Sequence, residues 1–171
     1  NKPGYDPLMQ AFSGLMSVTG QPNQEPVRVG TSIIDMAAGM WCVIGILASL
    51  YRREKSRTGA TIDTSLFETA LSWMSYPAAG YLGSGEEPGR HGSGTAMIVP
   101  YRGYSTSDGF LVIAAGNDKL FDAMSQVLGH PEWAKDPRFA TNALRVHNQR
   151  VLYDLIEKII VQRTTQEWSQ A

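Results

Sequence analysis

The sequence predicts an α/β protein in two parts. Three observations carry this. A long apolar run from Ile33 to Leu50 reads as one buried helix. Two β-rich runs flank Ser107-Asp108-Gly109, where Asp-Gly is a hairpin turn signal. Between these regions the composition shifts to glycine, with Gly80, Gly83, Gly85, Gly89, Gly92 and Gly94 around Pro88. The expected division is a helix-dominated domain over 1–80, a glycine-rich linker over 81–100, and a small α/β domain with a hairpin over 101–171.

Along the chain, Asp6 to Val18 reads as the first helix. Asp6 can cap it, Pro7 suits the first helical position, and Leu8, Met9, Phe12, Leu15 and Met16 recur at helical spacing. Gly20-Gln21-Pro22-Asn23 ends it, and Glu25–Gly30 is a loop. The long helix spans about Ile34 to Arg53, buried on most faces, with a basic end that suits a helix C-terminus. Ala60-Thr61-Ile62-Asp63-Thr64 reads as a short strand feeding a helix from Ser65 to about Tyr81. On that helix Trp73, Tyr76 and Tyr81 share a face and read as core. The hairpin strands are Tyr101–Thr106 and Phe110–Ala115. An amphipathic helix follows over Asp118–Gly129, with a helical turn over Pro131–Lys135. Thr141 to about Arg163 is mainly helical, with Leu144, Val151, Leu152, Leu155, Ile156, Ile159 and Ile160 as core positions. Thr164 or Thr165 caps a last helix, and Glu167 stands where a capping box needs it.

Composition narrows the function classes. The 171 residues suffice for one domain or two small ones, and 43% hydrophobic content can build a core. A net charge of −1 gives no field suited to nucleic acid or an anionic membrane. The single cysteine, Cys42, excludes an internal disulfide framework and reads as a buried, inert thiol; no zinc-type cluster is present, so no metal is expected. The run from Ile33 approaches membrane-spanning length. Its internal Asp35 and its small-residue faces favour a buried helix, so no membrane partner is expected. The opening Asn1-Lys2-Pro3-Gly4-Tyr5 lacks the apolar core of a signal peptide, and a cytoplasmic setting is expected. Asn1 is not an initiator methionine, and a helical pattern breaks off at Ala171; both ends suggest an internal piece of a longer protein.

Asp35 is the residue that points to chemistry. It opens the apolar run, and no other charge appears until Arg52. A carboxylate there is desolvated unless something pairs with it. Two readings fit. Asp35 caps its helix by accepting the first free N–H groups. Alternatively, it is a carboxylate nucleophile held at a helix N-terminus, where the dipole and free N–H groups stabilise negative charge. Tyr5-Asp6 lies one helix and one loop upstream. If the two helix starts lie side by side, a phenol and two carboxylates share a pocket. Other motifs are weaker. No Walker or dinucleotide-type glycine pattern exists, and Ser13 and Ser65 lack a His–Asp arrangement. His91-Gly92-Ser93-Gly94 reads either as linker or as a mobile active-site flap; His130 and His147 read as surface.

Several segments together resemble the class III CoA-transferases, the CaiB/BaiF family. They are Pro3-Gly4-Tyr5-Asp6, Ser13-Gly14-Leu15-Met16-Ser17 with Thr19-Gly20, Gly30 through Asp35 with Gly39-Met40, and Gly45-Ile46-Leu47-Ala48. Arg57-Thr58-Gly59, Ile62 through Ala70, Pro100-Tyr101, Ala114 through Asp118 and Asp136 through Asn142 continue the pattern. The resemblance covers essentially the whole chain. It implies part of a Rossmann-like large domain plus a small α/β domain, from an interlocked homodimer, with much of the coenzyme A site lying outside this chain. It implies that Asp35 is the nucleophile attacking an acyl-CoA thioester, and that a small carboxylic acid is the acceptor. It places Gly4, Tyr5 and Asp6 beside the CoA and thioester end of the site. Gly92 and Gly94 take the place of a substrate flap, without the consecutive glycines of oxalate-using members. Racemases and epimerases of the same superfamily, which act on acyl-CoA, carry histidine where this chain has Tyr5; a phenol is a poor base for an α-proton, which argues for transfer. A non-catalytic CoA-ester-binding module, with Asp35 only a cap, is the third reading.

Overall fold

The computed structural model describes residues 3–171. The chain divides into two compact units, one ending at Arg90 and the other spanning His91–Ala171.

Among the described residues the regular elements of the first unit are all helices. It holds α1 (Asp6–Phe12), a 3₁₀ turn over Leu15–Ser17, α2 (Ile33–Ser56), α3 (Leu66–Trp73) and α4 (Ser75–Ser84). α1 is shorter than its apolar spacing predicts because Gly14 takes a left-handed φ of +86° and breaks the helical path. The helix expected over 65–81 is two. Pro77 explains the break: in a continuous helix its ring would clash with the carbonyl four residues back, at Trp73. At the third position of a new helix its missing N–H is one that has no intrahelical partner anyway. The expected face of Trp73, Tyr76 and Tyr81 is exposed rather than core.

α2 departs most from expectation. Only Ile34, Ala37 and Ala38 are buried, whereas Met36, Met40, Trp41, Val43, Ile44 and Leu47 are exposed. A helix apolar on all sides needs neighbours on all sides; here α1 and α3 are the elements packed against it. Its mean hydropathy of 2.0 over 18 residues is, by length and composition alone, enough to cross a membrane. Ala60–Thr64 forms no strand, since no described segment pairs with it. It packs through side chains instead. A Cβ at Gly45 of α2 would lie 2.8 Å from Ile62 Cγ2, so the glycine is a socket for Ile62. Thr64 Oγ1 lies 3.2 Å from Cys42 Sγ, and this free thiol is half-buried rather than fully buried.

The second unit is built on an antiparallel hairpin, β1 (Tyr101–Ser105) and β2 (Phe110–Ala114), in register from Tyr101↔Ala114 to Ser105↔Phe110. Around it fold α5 (Asp118–Val127), a 3₁₀ turn over Pro131–Lys135, α6 (Asn142–His147), α7 (Gln149–Ile160) and α8 (Thr165–Gln170). Val99, Tyr104, Phe121, Trp133, Phe139, Leu152, Ile156 and Ile160 form the core. Leu155 and Ile159 pack against it, while Leu144 and Val151, expected inside, are exposed. Asn148 separates α6 from α7, its Nδ2 donating to the carbonyls of Leu144 and Arg138.

The predicted capping box forms on Thr164 and Glu167. Asp108, in the hairpin turn, holds the start of α8: its Oδ1 accepts from Thr165 N at 2.8 Å and from the hydroxyls of Thr165 and Thr106 at 3.0 Å. The Thr165 N–H, first among these donors, keeps the Asp108 carboxyl below its usual 3.8. A depressed pKa contributes stability that is complete above the ordinary value and lost as pH falls through the folded one. Acidification below about 4 is therefore expected to loosen α8 from the hairpin. The indole N–H of Trp168, which donates to Ile160 O at 2.8 Å, reports it by NMR. Asp108→Asn should show the loosened signal already at neutral pH. An unchanged Trp168 resonance in that variant would refute the role of the turn aspartate.

Candidate active site

α2 starts without a cap of its own. Ser32 precedes it, and its side chain makes no capping bond. The first N–H groups of a helix lack intrahelical acceptors and need one from elsewhere. Here Asp6 supplies it from the first turn of α1. Its Oδ2 accepts from Ile34 N at 2.7 Å and from Asp35 N at 3.4 Å. The other oxygen, Oδ1, accepts from Gln10 Nε2 at 2.6 Å. Gln10 Oε1 in turn accepts from Val29 N at 2.8 Å. Both side chains are buried, Asp6 at 2% exposure and Gln10 at 0%. A carboxylate only accepts, so the Gln10 amide must turn its NH₂ toward Asp6 and its oxygen toward Val29.

This arrangement corrects the cap reading of Asp35, and with it the expectations that the Asp35 carboxylate is desolvated and that free N–H groups of the first turn face it. The desolvated carboxylate that caps α2 is Asp6. Asp35 is the third residue of the helix and is exposed, and among the described residues nothing donates to its carboxylate. One turn on, a Cβ at Gly39 would meet nothing within 4 Å. Positions i and i+4 share a helix face, so the surface beside Asp35 is open.

The two helix starts do lie side by side, bringing Asp6 against the backbone of Asp35. Tyr5, preceding α1, is 81% exposed. Gly4 lies tight against Met9, where a Cβ would be 3.0 Å from Met9 Cε. An apolar hollow of about 360 Å³ opens along α1, lined by Pro3, Leu8, Met9, Phe12 and Phe67. A smaller polar cleft of about 190 Å³ is lined by Trp41, Asp63, Thr64, Ser65, Glu68, Thr69 and Ser72. Gly92 and Gly94 belong to the other unit. There Gly92 has a φ of +60°, Gly94 N donates to His91 O at 2.9 Å, and a Cβ at Gly94 would sit 3.2 Å from Tyr101 O. The segment is a tight turn laid against β1.

Sequence reasoning missed Gln10. The signal was a polar residue one helical turn after Asp6, among the apolar positions of α1. It also missed Arg145, which is fully buried in the second unit.

The family model for CoA-transferase family III matches residues 1–171. This chain belongs to CoA-transferase family III. Among curated members, human succinyl-CoA:glutarate CoA-transferase is 36% identical over 165 residues, covering 96% of this chain and 38% of the relative. Acetyl-CoA:oxalate CoA-transferase of Acetobacter aceti is 37% identical, over 97% of this chain and 43% of the relative. The chain therefore spans less than half the length of these family III relatives. A CaiB/BaiF family protein from Brucella suis has the same fold over 97% of this chain and 44% of its own, with a TM-score of 0.77 and 38% identity. Rv3272 of Mycobacterium tuberculosis shares the fold at a TM-score of 0.84 and 23% identity, over 99% of this chain and 43% of its own. The α/β class, with the hairpin unit as its β-containing part here, is thus that of a partial family III fold.

Proposed function

We propose that this chain carries the nucleophile of a CoA-transferase that moves coenzyme A from an acyl-CoA thioester to a free carboxylic acid. The observation that carries the reading is the division between two aspartates. Asp6 takes the N–H groups at the start of α2, and Asp35 is left with an exposed, unengaged carboxylate in the first turn. Family III membership supports the reaction class.

An Asp35 oxygen attacks the thioester carbonyl. The C–S bond breaks, giving an acyl-aspartyl anhydride and CoA thiolate. The thiolate attacks the aspartyl carbonyl, forming an aspartyl-CoA thioester and releasing the donor acid as its carboxylate. The acceptor carboxylate attacks that thioester, and the expelled thiolate then attacks the acceptor carbonyl of the new anhydride. Acceptor-CoA leaves, and Asp35 returns as the carboxylate. Atoms and charge balance with no net proton transfer, so the step needs no general base.

The substrates named for the relatives are short acids, which supports a small carboxylic acid as acceptor. Gly4, which packs on Met9 of the hollow's lining, and the exposed Tyr5 are the groups we place near the CoA chain, while Asp6, placed with them by the resemblance, is engaged by the backbone of α2 and by Gln10. The Gly92–Gly94 turn is the segment we place near the acceptor. The exposed apolar face of α2 needs a cover, and we propose that a second copy of the protein supplies it; acyl-CoA substrates suit a cytoplasmic setting. Hydroxylamine added to the full-length protein during turnover is expected to convert Asp35 into a hydroxamate, found by peptide mass mapping. Turnover with no modification at Asp35, or with modification at another carboxylate, would refute the assignment.

A further inference from the structure

We propose that Asp6 and Gln10 are positioning residues for Asp35, an inference that rests on the nucleophile role given to Asp35 above. The Asp35 carboxylate has no hydrogen-bond donor among the described residues, so its position is set by its backbone. That backbone is fixed from α1. Asp6 Oδ2 holds Ile34 N at 2.7 Å and Asp35 N at 3.4 Å. Gln10 holds Asp6 at 2.6 Å, and Val29 N holds Gln10 at 2.8 Å. The chain of bonds ties α1, the loop at Val29 and the first turn of α2 into one buried unit. It has a second consequence. With the N-terminal donors engaged by Asp6, Asp35 is not drawn back to cap its own helix, and its oxygens stay available for attack. Misplacing a reacting group by about 1 Å costs about a hundredfold in rate.

The polarity of the chain is testable because it runs one way. Asp6→Asn can still accept from Ile34 N, but its new NH₂ must then face Gln10. Gln10 would have to turn its oxygen toward position 6 and its NH₂ toward Val29 N, donor against donor. Adding Gln10→Glu restores an acceptor to both neighbours and moves the carboxylate from position 6 to position 10.

In the full-length protein, Asp6→Asn is expected to lower kcat about tenfold to a hundredfold, with KM for acyl-CoA changed less than about twofold. The paired exchange Asp6→Asn with Gln10→Glu should recover most of the lost kcat. A raised KM with kcat unchanged would instead put Asp6 in contact with CoA and overturn the proposal. So would an unchanged kcat accompanied only by a lower Tm, or a folded paired exchange that recovers nothing. If Asp6→Asn does not fold, the paired exchange still decides, since it must fold and turn over. Asp35→Ala run in parallel separates the two readings. Activity in that variant sinks the nucleophile itself. An inactive Asp35→Ala beside a fully active Asp6→Asn sinks only the positioning role.

Discussion

Asp35→Ala is expected to abolish CoA transfer in the full-length protein, by on the order of 10³-fold or more, because the proposed mechanism routes every acyl-enzyme intermediate through its carboxylate. Its effect on stability should be small, within about 0.5 kcal/mol. The capping reading would have charged this substitution with a lost cap of about 1 kcal/mol. The hydrogen bonds remove that cost: Asp6, not Asp35, satisfies the first turn of α2, and alanine is the better helix former. Transfer assayed with an acyl-CoA and a free acid, alongside thermal unfolding, checks both halves. Substantial residual transfer would end the mechanism. Lost transfer with a large fall in Tm would mean that Asp35 supports the fold.

Arg145→Met is expected to produce the largest loss of stability, about 3–5 kcal/mol. Arg145 is fully buried. Its Nε donates to Val99 O at 2.7 Å, Nη1 to Phe139 O at 2.9 Å and Nη2 to Asp118 Oδ1 at 2.7 Å. Its guanidinium lies 4.4 Å over the Phe121 ring. Methionine fills much of the volume but leaves two buried carbonyls without donors, each costing about 1–3 kcal/mol. Asp118 is 64% exposed on its side chain and can turn to water. Arg145→Lys should recover only part, since one ammonium cannot span three acceptors around an aromatic face. The shift in urea midpoint measures the effect; a loss below about 1 kcal/mol would show that water or a rearranged loop replaces the guanidinium.

Local signals were legible where the physics is local. The Asp-Gly turn, the capping box of Thr164 and Glu167 and the periodicity of α5 and α7 each depend on residues a few positions apart, and each formed. Pro77 and Gly14 carried break signals that the surrounding apolar spacing masked. Ala60–Thr64 has strand-like composition, but a strand exists only with a partner, and composition says nothing about partners. The misreading of Asp35 had the same origin. Its place before an apolar run predicted a desolvated carboxylate at position 35, but Asp35 is exposed; the buried carboxylate at this helix start is Asp6, 28 to 29 positions away in sequence from the amides it accepts. The burial expected around α2 failed because what covers a helix is a property of its neighbours.

The dependence of α2 on an acceptor from α1 makes Asp35 a poor candidate for transplantation. Moved into another scaffold as a helix with its own flanking residues, the segment would lose Asp6 and with it the reason its first turn closes. Its own aspartate would be the nearest acceptor for the orphaned amides, and a side chain recruited to end its helix is no longer free to attack a thioester. The unit that evolution or a designer can copy is therefore discontinuous: the two helix starts bridged by Asp6, and the glutamine that ties Asp6 to the loop backbone at Val29, accepted or rejected together.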